Sequence, residues 1–290
     1  MLRCDPRSVD KIILIVHLYS PRFVLLTQIV NDTSFGTLVF TQKEKKNDVG
    51  NIVLRYEELV KSGRGGNRPV NNLCRSSHNV LNRYTAARLT GETLFARIGR
   101  AVCEAECLPR KEFFEAWETA KRIRRQMRGG PIVELAAGHG LLSAILLILD
   151  NSSDVATCVD IDRPLSHERV LKELENRWPR LKDRVQYIES RIEDVHVSSD
   201  SLLASIHACG ELTDQVLDLA LRARCRVAVL PCCHDLKRCD TGSLAGWMDG
   251  PLAVDATRVA RLRQAGYRVL TTHIPEDITP KNRLLMGWPE

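Results

Sequence analysis

The 290-residue sequence contains no long uninterrupted hydrophobic segment. Its most apolar N-terminal stretch is interrupted by His17, Pro21 and Arg22, whereas a membrane-spanning helix needs about 20 predominantly apolar residues. The first residues also lack the order of a signal peptide, in which a basic start precedes an apolar run and a small-residue cleavage site. We therefore expect a soluble, cytoplasmic protein that has no membrane partner.

The composition also lacks the biases of fibrous, repetitive or disordered proteins. Hydrophobic residues make up 44% and charged residues 27%, with 17 Gly and 12 Pro, close to the averages for soluble domains. A chain of this length buries roughly 75% of its unfolded surface and needs no disulfide or metal to fold. The ten cysteines are dispersed, with only Cys232 and Cys233 adjacent, which favours free thiols in a reducing cytosol.

Three segments differ in their hydrophobic pattern. Residues 1–70 suggest no role, and we expect poor order there. Residues 71–129 have a helical periodicity, whereas residues 130–290 alternate short apolar strands with helices, which predicts a parallel sheet covered on both faces. The last two apolar runs, 267–273 and 283–288, have no helix between them. The predicted fold is therefore α/β, with a helical N-terminal extension and a C-terminal antiparallel hairpin.

Positive charge is concentrated in the first part of the chain. Residues 1–130 hold 23 Lys/Arg against 13 Asp/Glu, and the remaining residues hold 19 against 23. The basic residues are densest in one run, which consists of Lys121, Arg122, Arg124, Arg125 and Arg128. Such a run suits a polyanionic partner such as RNA, and it is equally typical of the solvated face of a helix. Both interpretations stay open.

A glycine turn joins a predicted strand to a predicted helix at residues 132–143, with the sequence Ile-Val-Glu-Leu-Ala-Ala-Gly-His-Gly-Leu-Leu-Ser. Gly138 and Gly140 can adopt backbone angles that let a ligand approach the main chain, although such glycines can also serve packing alone. Asp160 follows Gly140 by 20 residues, at the end of the next predicted strand. There its carboxylate can accept both hydroxyls of a ribose, so the sequence predicts a nucleotide-type cofactor site.

Glu134 discriminates between two cofactors. The spacing of Gly138, Gly140 and Ser143 also fits a loose dinucleotide fingerprint, and with it a nicotinamide-dependent oxidoreductase. A carboxylate just before the turn would repel a pyrophosphate, however. It suits the amino group and sulfonium of S-adenosylmethionine (SAM), so we expect SAM as the cofactor.

Several segments resemble class I SAM-dependent methyltransferases. Residues 134–140 resemble motif I of that family, and residues 159–162 resemble motif II. Three downstream segments resemble a narrower group. They are His-Ala-Cys-Gly-Glu-Leu-Thr-Asp at 207–214, Pro-Cys-Cys-His at 231–234 and residues 278–285. That group includes the tRNA acceptor-stem ribose 2′-O-methyltransferases. The resemblance covers roughly residues 110–288 and implies a Rossmann-like sheet, SAM as cofactor and an RNA acceptor bound by the basic helical extension.

Site residues are expected where the strands of the parallel sheet end, because ligands bind there in open sheets. The predicted cofactor contacts are Glu134, Ala136, Gly138, Gly140, Asp160, Ile161, Glu193 and His207, with Asp194 as an alternative to Glu193. The predicted catalytic residues are His234, Asp235 and Cys209. His234 would orient or deprotonate the acceptor, since its unperturbed pKa of about 6.5 suits proton transfer, and Asp235 would orient His234. A hydrogen-bonded structural histidine is the competing interpretation.

A zinc site built from Cys232, Cys233, His234 and Cys239 is disfavoured, because adjacent cysteines are awkward ligands for one ion. The sequence also has no counterpart of the small zinc-binding segments that accompany the tRNA enzymes. We therefore expect no metal, and a packing role for Cys232 and Cys233 beside the cofactor pocket. Two further functions remain as alternatives, a small-molecule methyltransferase and an inactive methyltransferase fold that binds nucleic acid. No obligate protein partner is expected.

Overall fold

A computed structural model describes residues 73–290 of the chain, so the expectations for residues 1–70 lie outside the described residues. The helices are α1 (Arg83–Ala86), α2 (Leu94–Ala105), α3 (Arg110–Gln126), α4 (Leu141–Leu149), α5 (Leu165–Arg177), α6 (Leu212–Ala223) and α7 (Gly250–Gln264). The strands are β1 (Ile132–Leu135), β2 (Ala156–Asp160), β3 (Val185–Glu189), β4 (Leu202–Ser205), β5 (Arg226–Val229), β6 (Tyr267–His273) and β7 (Arg283–Pro289).

The seven strands form a single sheet in the order β3-β2-β1-β4-β5-β7-β6. The first five are parallel, and β7 runs antiparallel to both β5 and β6. The order of the parallel strands is Rossmann-like. The chain adds strands outward on one side of β1 and then on the other, so the strand order reverses between β1 and β4, where such sheets bind their ligands. The predicted fold class is thus confirmed. In the C-terminal hairpin the second strand, β7, pairs with β5, and the first strand, β6, forms the edge of the sheet.

The sheet is covered on both faces because its central strands are apolar on both sides. All four residues of β1 are buried, and α4 buries eight residues, Leu141 through Ile148. Within residues 73–290, no helix is long and apolar enough to cross a membrane.

The helical extension shares this core. Phe113 of α3 is fully buried, and its ring lies 5.2 Å from that of Phe95, centroid to centroid. Phe113 belongs to the same apolar cluster as Ile145 of α4 and Ile132 of β1, and the partly buried Phe95 packs against that cluster. The helical extension therefore contributes to the surroundings of the β1–α4 turn.

Local hydrogen bonds explain two differences from the predicted element bounds. The apolar pattern of the sequence predicts a helix over residues 255–265. Helix α7 begins earlier, at Gly250, because the Asp249 carboxylate accepts a hydrogen bond from the Leu252 amide at 3.1 Å and caps the helix. The sequence also predicts a strand over residues 202–207, whereas strand β4 ends at Ser205. There the Ser205 hydroxyl accepts a hydrogen bond from the Ala208 amide at 3.2 Å and turns the chain.

Candidate cofactor and active site

A cavity of about 360 Å³ lies at the carboxyl ends of β1, β2 and β4. Its titratable lining residues are Glu112, Glu134, His139, Asp160 and His207. Apolar and small residues complete the wall: Leu108, Ala136, Ala137, Gly138, Leu141, Leu142, Ile206 and Leu212. Five of the eight predicted cofactor residues thus meet in one cavity, namely Glu134, Ala136, Gly138, Asp160 and His207. Gly140, Ile161 and Glu193 lie outside its wall.

Glu134 is a buried carboxylate at the base of this cavity. The residue is only 2% exposed, and its Oε2 accepts a hydrogen bond from the Ser143 amide of α4 at 2.8 Å. Burial raises the pKa of Glu134 to about 7, outweighing the hydrogen bonds from Ser143. Of the described residues that line the cavity, none is a lysine or arginine. A cationic ligand would therefore supply the positive counter-charge that the cavity wall does not offer to an ionised Glu134.

The carboxylate of Asp160 is held in place by two backbone amides. Oδ2 accepts a hydrogen bond from Gly138 N at 2.9 Å, and Oδ1 accepts one from Ile161 N at 2.8 Å. Each oxygen retains a further lone pair. The arrangement fixes an acceptor pair at the end of β2, as the binding of two ribose hydroxyls requires.

The two glycines of the turn have different roles. Both have positive φ, +49° at Gly138 and +70° at Gly140, and a Cβ at Gly138 would meet no atom within 4 Å. A Cβ at Gly140 would lie 2.8 Å from Cys158 Sγ and 2.8 Å from His167 Nδ1. Gly140 therefore lets the turn pack against β2 and α5, and its contact with the cofactor stays a prediction. The open space lies beside Gly138.

Two cavity residues, Glu112 and His139, were missed by sequence analysis as functional groups. His139 Nε2 lies 3.2 Å from Glu112 Oε2, and His139 Nδ1 lies 2.5 Å from the Ser166 hydroxyl oxygen. Burial alone would raise the pKa of Glu112, but the hydrogen bond from His139 and nearby positive charge lower it overall. His139 could have been noticed between the two glycines, whereas Glu112 sits in the first turn of α3 with no functional pattern around it.

His207 lies on the same wall. Burial lowers the pKa of its imidazole, and the charges of Glu112 and Glu115 only partly oppose that shift. At neutral pH His207 is therefore a neutral imidazole, able to accept a proton.

The three predicted catalytic residues lie outside the cavity wall. The His234 side chain is 1% exposed, and its Nε2 donates a hydrogen bond to Asp255 Oδ1 at 2.8 Å. The prediction that Asp235 orients His234 is thus wrong, because Asp255 of α7 does so. Asp235 instead accepts a hydrogen bond from Lys237 N at 3.0 Å within its own loop. Cys209 Sγ lies 2.7 Å from Cys232 Sγ.

Glu193, the predicted adenine contact, is on the surface. It pairs with Arg191 at 2.9 Å and its side chain is 51% exposed. The hydrogen bond from Arg191 lowers its pKa. Ile161, 69% exposed next to Asp160, offers an apolar surface on the same side of the sheet.

The basic run of α3 is partly committed to the fold. Arg124 is 4% exposed and donates hydrogen bonds to Leu146 O and the Ser153 hydroxyl. Lys121 and Arg122 both pair with Glu118, at 2.8 and 2.5 Å. Arg125 and Arg128 are exposed at the end of the helix.

Comparison with known proteins gives one family match. Residues 111–239 match the family model described as a methyltransferase domain. This segment begins in α3 and includes the glycine turn, Asp160, Cys209 and the segment that follows β5.

Individual relatives are distant. A Drosophila melanogaster glutathione S-transferase C-terminal domain-containing protein homolog is 28% identical over 134 residues, which covers 32% of this chain and 23% of that protein. The chain thus spans about 23% of the length of the curated relative it matches. Among solved structures, an O-methyltransferase family protein from Burkholderia thailandensis has a TM-score of 0.42 and 15% identity, covering 72% of this chain and 63% of that one.

A second solved structure, magnesium protoporphyrin IX methyltransferase from Synechocystis PCC 6803 with bound SAM, has a TM-score of 0.39 and 12% identity. It covers 69% of this chain and 86% of that chain. The family match agrees with the strand order and with a carboxylate-lined cavity at the strand ends. Residues 111–239 of the chain therefore match a methyltransferase domain, and they lie within a sheet whose strand order is Rossmann-like.

Proposed function

We propose that the cavity binds SAM with Glu134 facing the positively charged methionine end and Asp160 holding the ribose hydroxyls. The observation that carries this proposal is the charge of the wall, which includes the carboxylates of Glu112, Glu134 and Asp160 and, within the described structure, no basic lysine or arginine. Burial raises the pKa of Glu134 in the free protein, which means that its ionised form lacks a favourable partner. A bound cation would be that partner and would stabilise the ionised form. Bound SAM supplies an electrophilic methyl group on its sulfonium.

His207 is the proposed proton acceptor for the nucleophile that takes the methyl group. It lines the cavity and is neutral at neutral pH, because burial lowers its pKa. Glu112 is the proposed positioning residue, since its hydrogen bond to His139 and its charge near His207 shape that side of the cavity. Holding the acceptor in line with the sulfonium would supply much of the rate acceleration.

RNA is the proposed acceptor, on the strength of the segments at 207–214 and 231–234 that resemble tRNA 2′-O-methyltransferases. Arg125 and Arg128, exposed at the end of α3, offer phosphate contacts beside the domain. A small-molecule acceptor is the second candidate. It is favoured by the carboxylate-rich wall, which repels phosphate groups and suits a compact neutral or cationic substrate.

Two measurements test the proposal. Calorimetry with SAM, S-adenosylhomocysteine and NAD should give binding of the first two and none of NAD; the reverse result would remove the cofactor assignment. Labelled SAM is then incubated with separate RNA and metabolite fractions. Label in RNA supports the RNA acceptor, label in the metabolites alone replaces it, and SAM binding without transfer to any fraction favours the inactive nucleic-acid-binding protein.

The proposed location is a reducing compartment such as the cytosol, and we propose no obligate protein partner. The dispersed cysteines of the sequence support such a compartment, since disulfide scaffolds are short and rich in cysteine.

A further inference from the structure

Three thiols converge beside the carboxyl ends of two neighbouring strands. Cys209 follows β4, whereas Cys232 and Cys233 follow β5. Their sulfur atoms all lie within 4.8 Å of one another, and the sulfurs of Cys209 and Cys232 are 2.7 Å apart. The three sulfurs are therefore close enough for one ion to contact all of them.

The backbone around these thiols is held by hydrogen bonds that join the two loops. Gly210 N donates to Cys233 O at 3.2 Å, which links the loop after β4 directly to the loop after β5. The buried Arg258 donates to Gly210 O at 3.0 Å, and the Thr213 hydroxyl donates to Ala208 O at 2.6 Å. The three sulfurs therefore meet because the fold positions their main chain, as supported metal sites require.

We propose that Cys209, Cys232 and Cys233 together bind one thiophilic cation, Zn²⁺, leaving a fourth coordination position open. Tetrahedral Zn–S bonds of about 2.3 Å place the sulfurs roughly 3.8 Å apart. Side-chain rotation suffices to open the 2.7 Å pair, because Cys209 and Cys233 are exposed and Cys232 is half-buried. Binding converts thiols to thiolates and releases their protons to solvent.

This set differs from the one that the sequence disfavours. The adjacency of Cys232 and Cys233 remains unusual for one ion, but the third ligand comes from a different strand end. His234 is not part of the cluster of three sulfurs, and its Nε2 is hydrogen-bonded to Asp255. Three protein ligands with an open position are typical of zinc sites that take water or an external ligand. His207, two residues before Cys209 in the chain, lines the cavity.

The test measures zinc directly on the full-length protein and is independent of SAM. The protein is reduced, stripped with a chelator, loaded with Zn²⁺ and separated from free metal, and bound zinc is measured by atomic spectroscopy. Cd²⁺ loading adds a check, because thiolate ligation gives an ultraviolet charge-transfer band. We expect one equivalent of zinc in the wild type.

Single variants Cys209→Ser, Cys232→Ser and Cys233→Ser should each weaken Zn²⁺ binding at least about tenfold, and the triple variant should lose the cadmium band. The matched control is Cys74→Ser, an exposed cysteine outside the cluster, which should retain full zinc. Circular dichroism of the triple variant verifies that it is folded.

Three results would overturn the proposal. The first is full zinc content in a folded triple variant, which would place the metal elsewhere. The second is a reduced wild type that binds no zinc while all three thiols react with a thiol reagent. The third is a Cys209–Cys232 disulfide in the isolated protein that, once reduced, still fails to bind Zn²⁺.

Discussion

His234 donates a hydrogen bond from Nε2 to Asp255 Oδ1 at 2.8 Å, joining the segment after β5 to helix α7. Asp255 also accepts a hydrogen bond from Arg283 Nε, at the start of β7, at 2.6 Å. These hydrogen bonds outweigh burial and lower the pKa of Asp255. One carboxylate thus ties together three segments, which favours a structural role for His234, while its catalytic role stays a prediction.

We expect His234→Ala to reduce the free energy of unfolding by about 1–3 kcal/mol, because it removes one buried hydrogen-bond partner of Asp255, which keeps its bond from Arg283. Urea denaturation measures the change. The matched control is the exposed neighbour Asp235→Ala, with an expected change within about 0.5 kcal/mol. Unchanged stability combined with lost methyl transfer in His234→Ala would restore the catalytic role.

The two glycines of the turn should respond differently to alanine. Gly140→Ala places a Cβ 2.8 Å from Cys158 Sγ and His167 Nδ1, so we expect a destabilisation of about 1–3 kcal/mol or more from overpacking. Gly138→Ala meets no atom within 4 Å and should cost about 1 kcal/mol for its positive φ, while SAM affinity falls. Thermal melting and calorimetry separate the two effects; equal stability losses would contradict the assignment.

SAM binding should depend on pH through Glu134. Its pKa of about 7 in the free protein means that cation binding must first displace a proton below pH 7. The dissociation constant of SAM should therefore fall about fivefold between pH 6 and 7 and about twofold more by pH 8, where it levels off. Calorimetry across this range measures the slope, and Glu134→Gln should bind weakly with no such slope.

The same shift affects the stability of the free protein. A carboxyl group whose pKa is raised by folding binds more protons in the native state than in the unfolded state. Wild-type stability should therefore decline, relative to Glu134→Gln, as the pH rises from about 4.5 through 7. Denaturation of both proteins at pH 5 and pH 8 measures the difference, and a difference of the opposite sign would reject the raised pKa.

Methyl transfer should require neutral His207. We expect His207→Gln to lower kcat about 100-fold or more, as for loss of a general base. Glu112→Gln removes a negative charge that raises the pKa of His207, so the acid limb of the kcat/KM profile should move to lower pH. Glu104→Gln, an exposed carboxylate on α2 bonded to Arg177, is the control. A Glu112→Gln profile identical to the wild type would dismiss the positioning role.

The sequence was sufficient for the sheet, since short apolar strands and the helices between them have distinct periods. The sequence also predicted that Glu134, Gly138 and Asp160 lie close together, because all three are placed at the ends of neighbouring strands around one turn. The partners of His234 and Cys209 were not predictable, because Asp255 and Cys232 reach them through packing between segments distant in the chain. Glu112 was missed for the same reason, as the packing of the helical extension on the core carries it to the cavity.

Strand β7 has a consequence for how the domain is made. It fills the gap between β5 and β6, so during synthesis β5 emerges long before the strand that covers it. Until residues 283–289 leave the ribosome, one side of β5 offers unsatisfied amides and carbonyls, a template for unwanted pairing with other chains. A nascent domain paused in the segment between β5 and β7 would therefore be the species most in need of a chaperone.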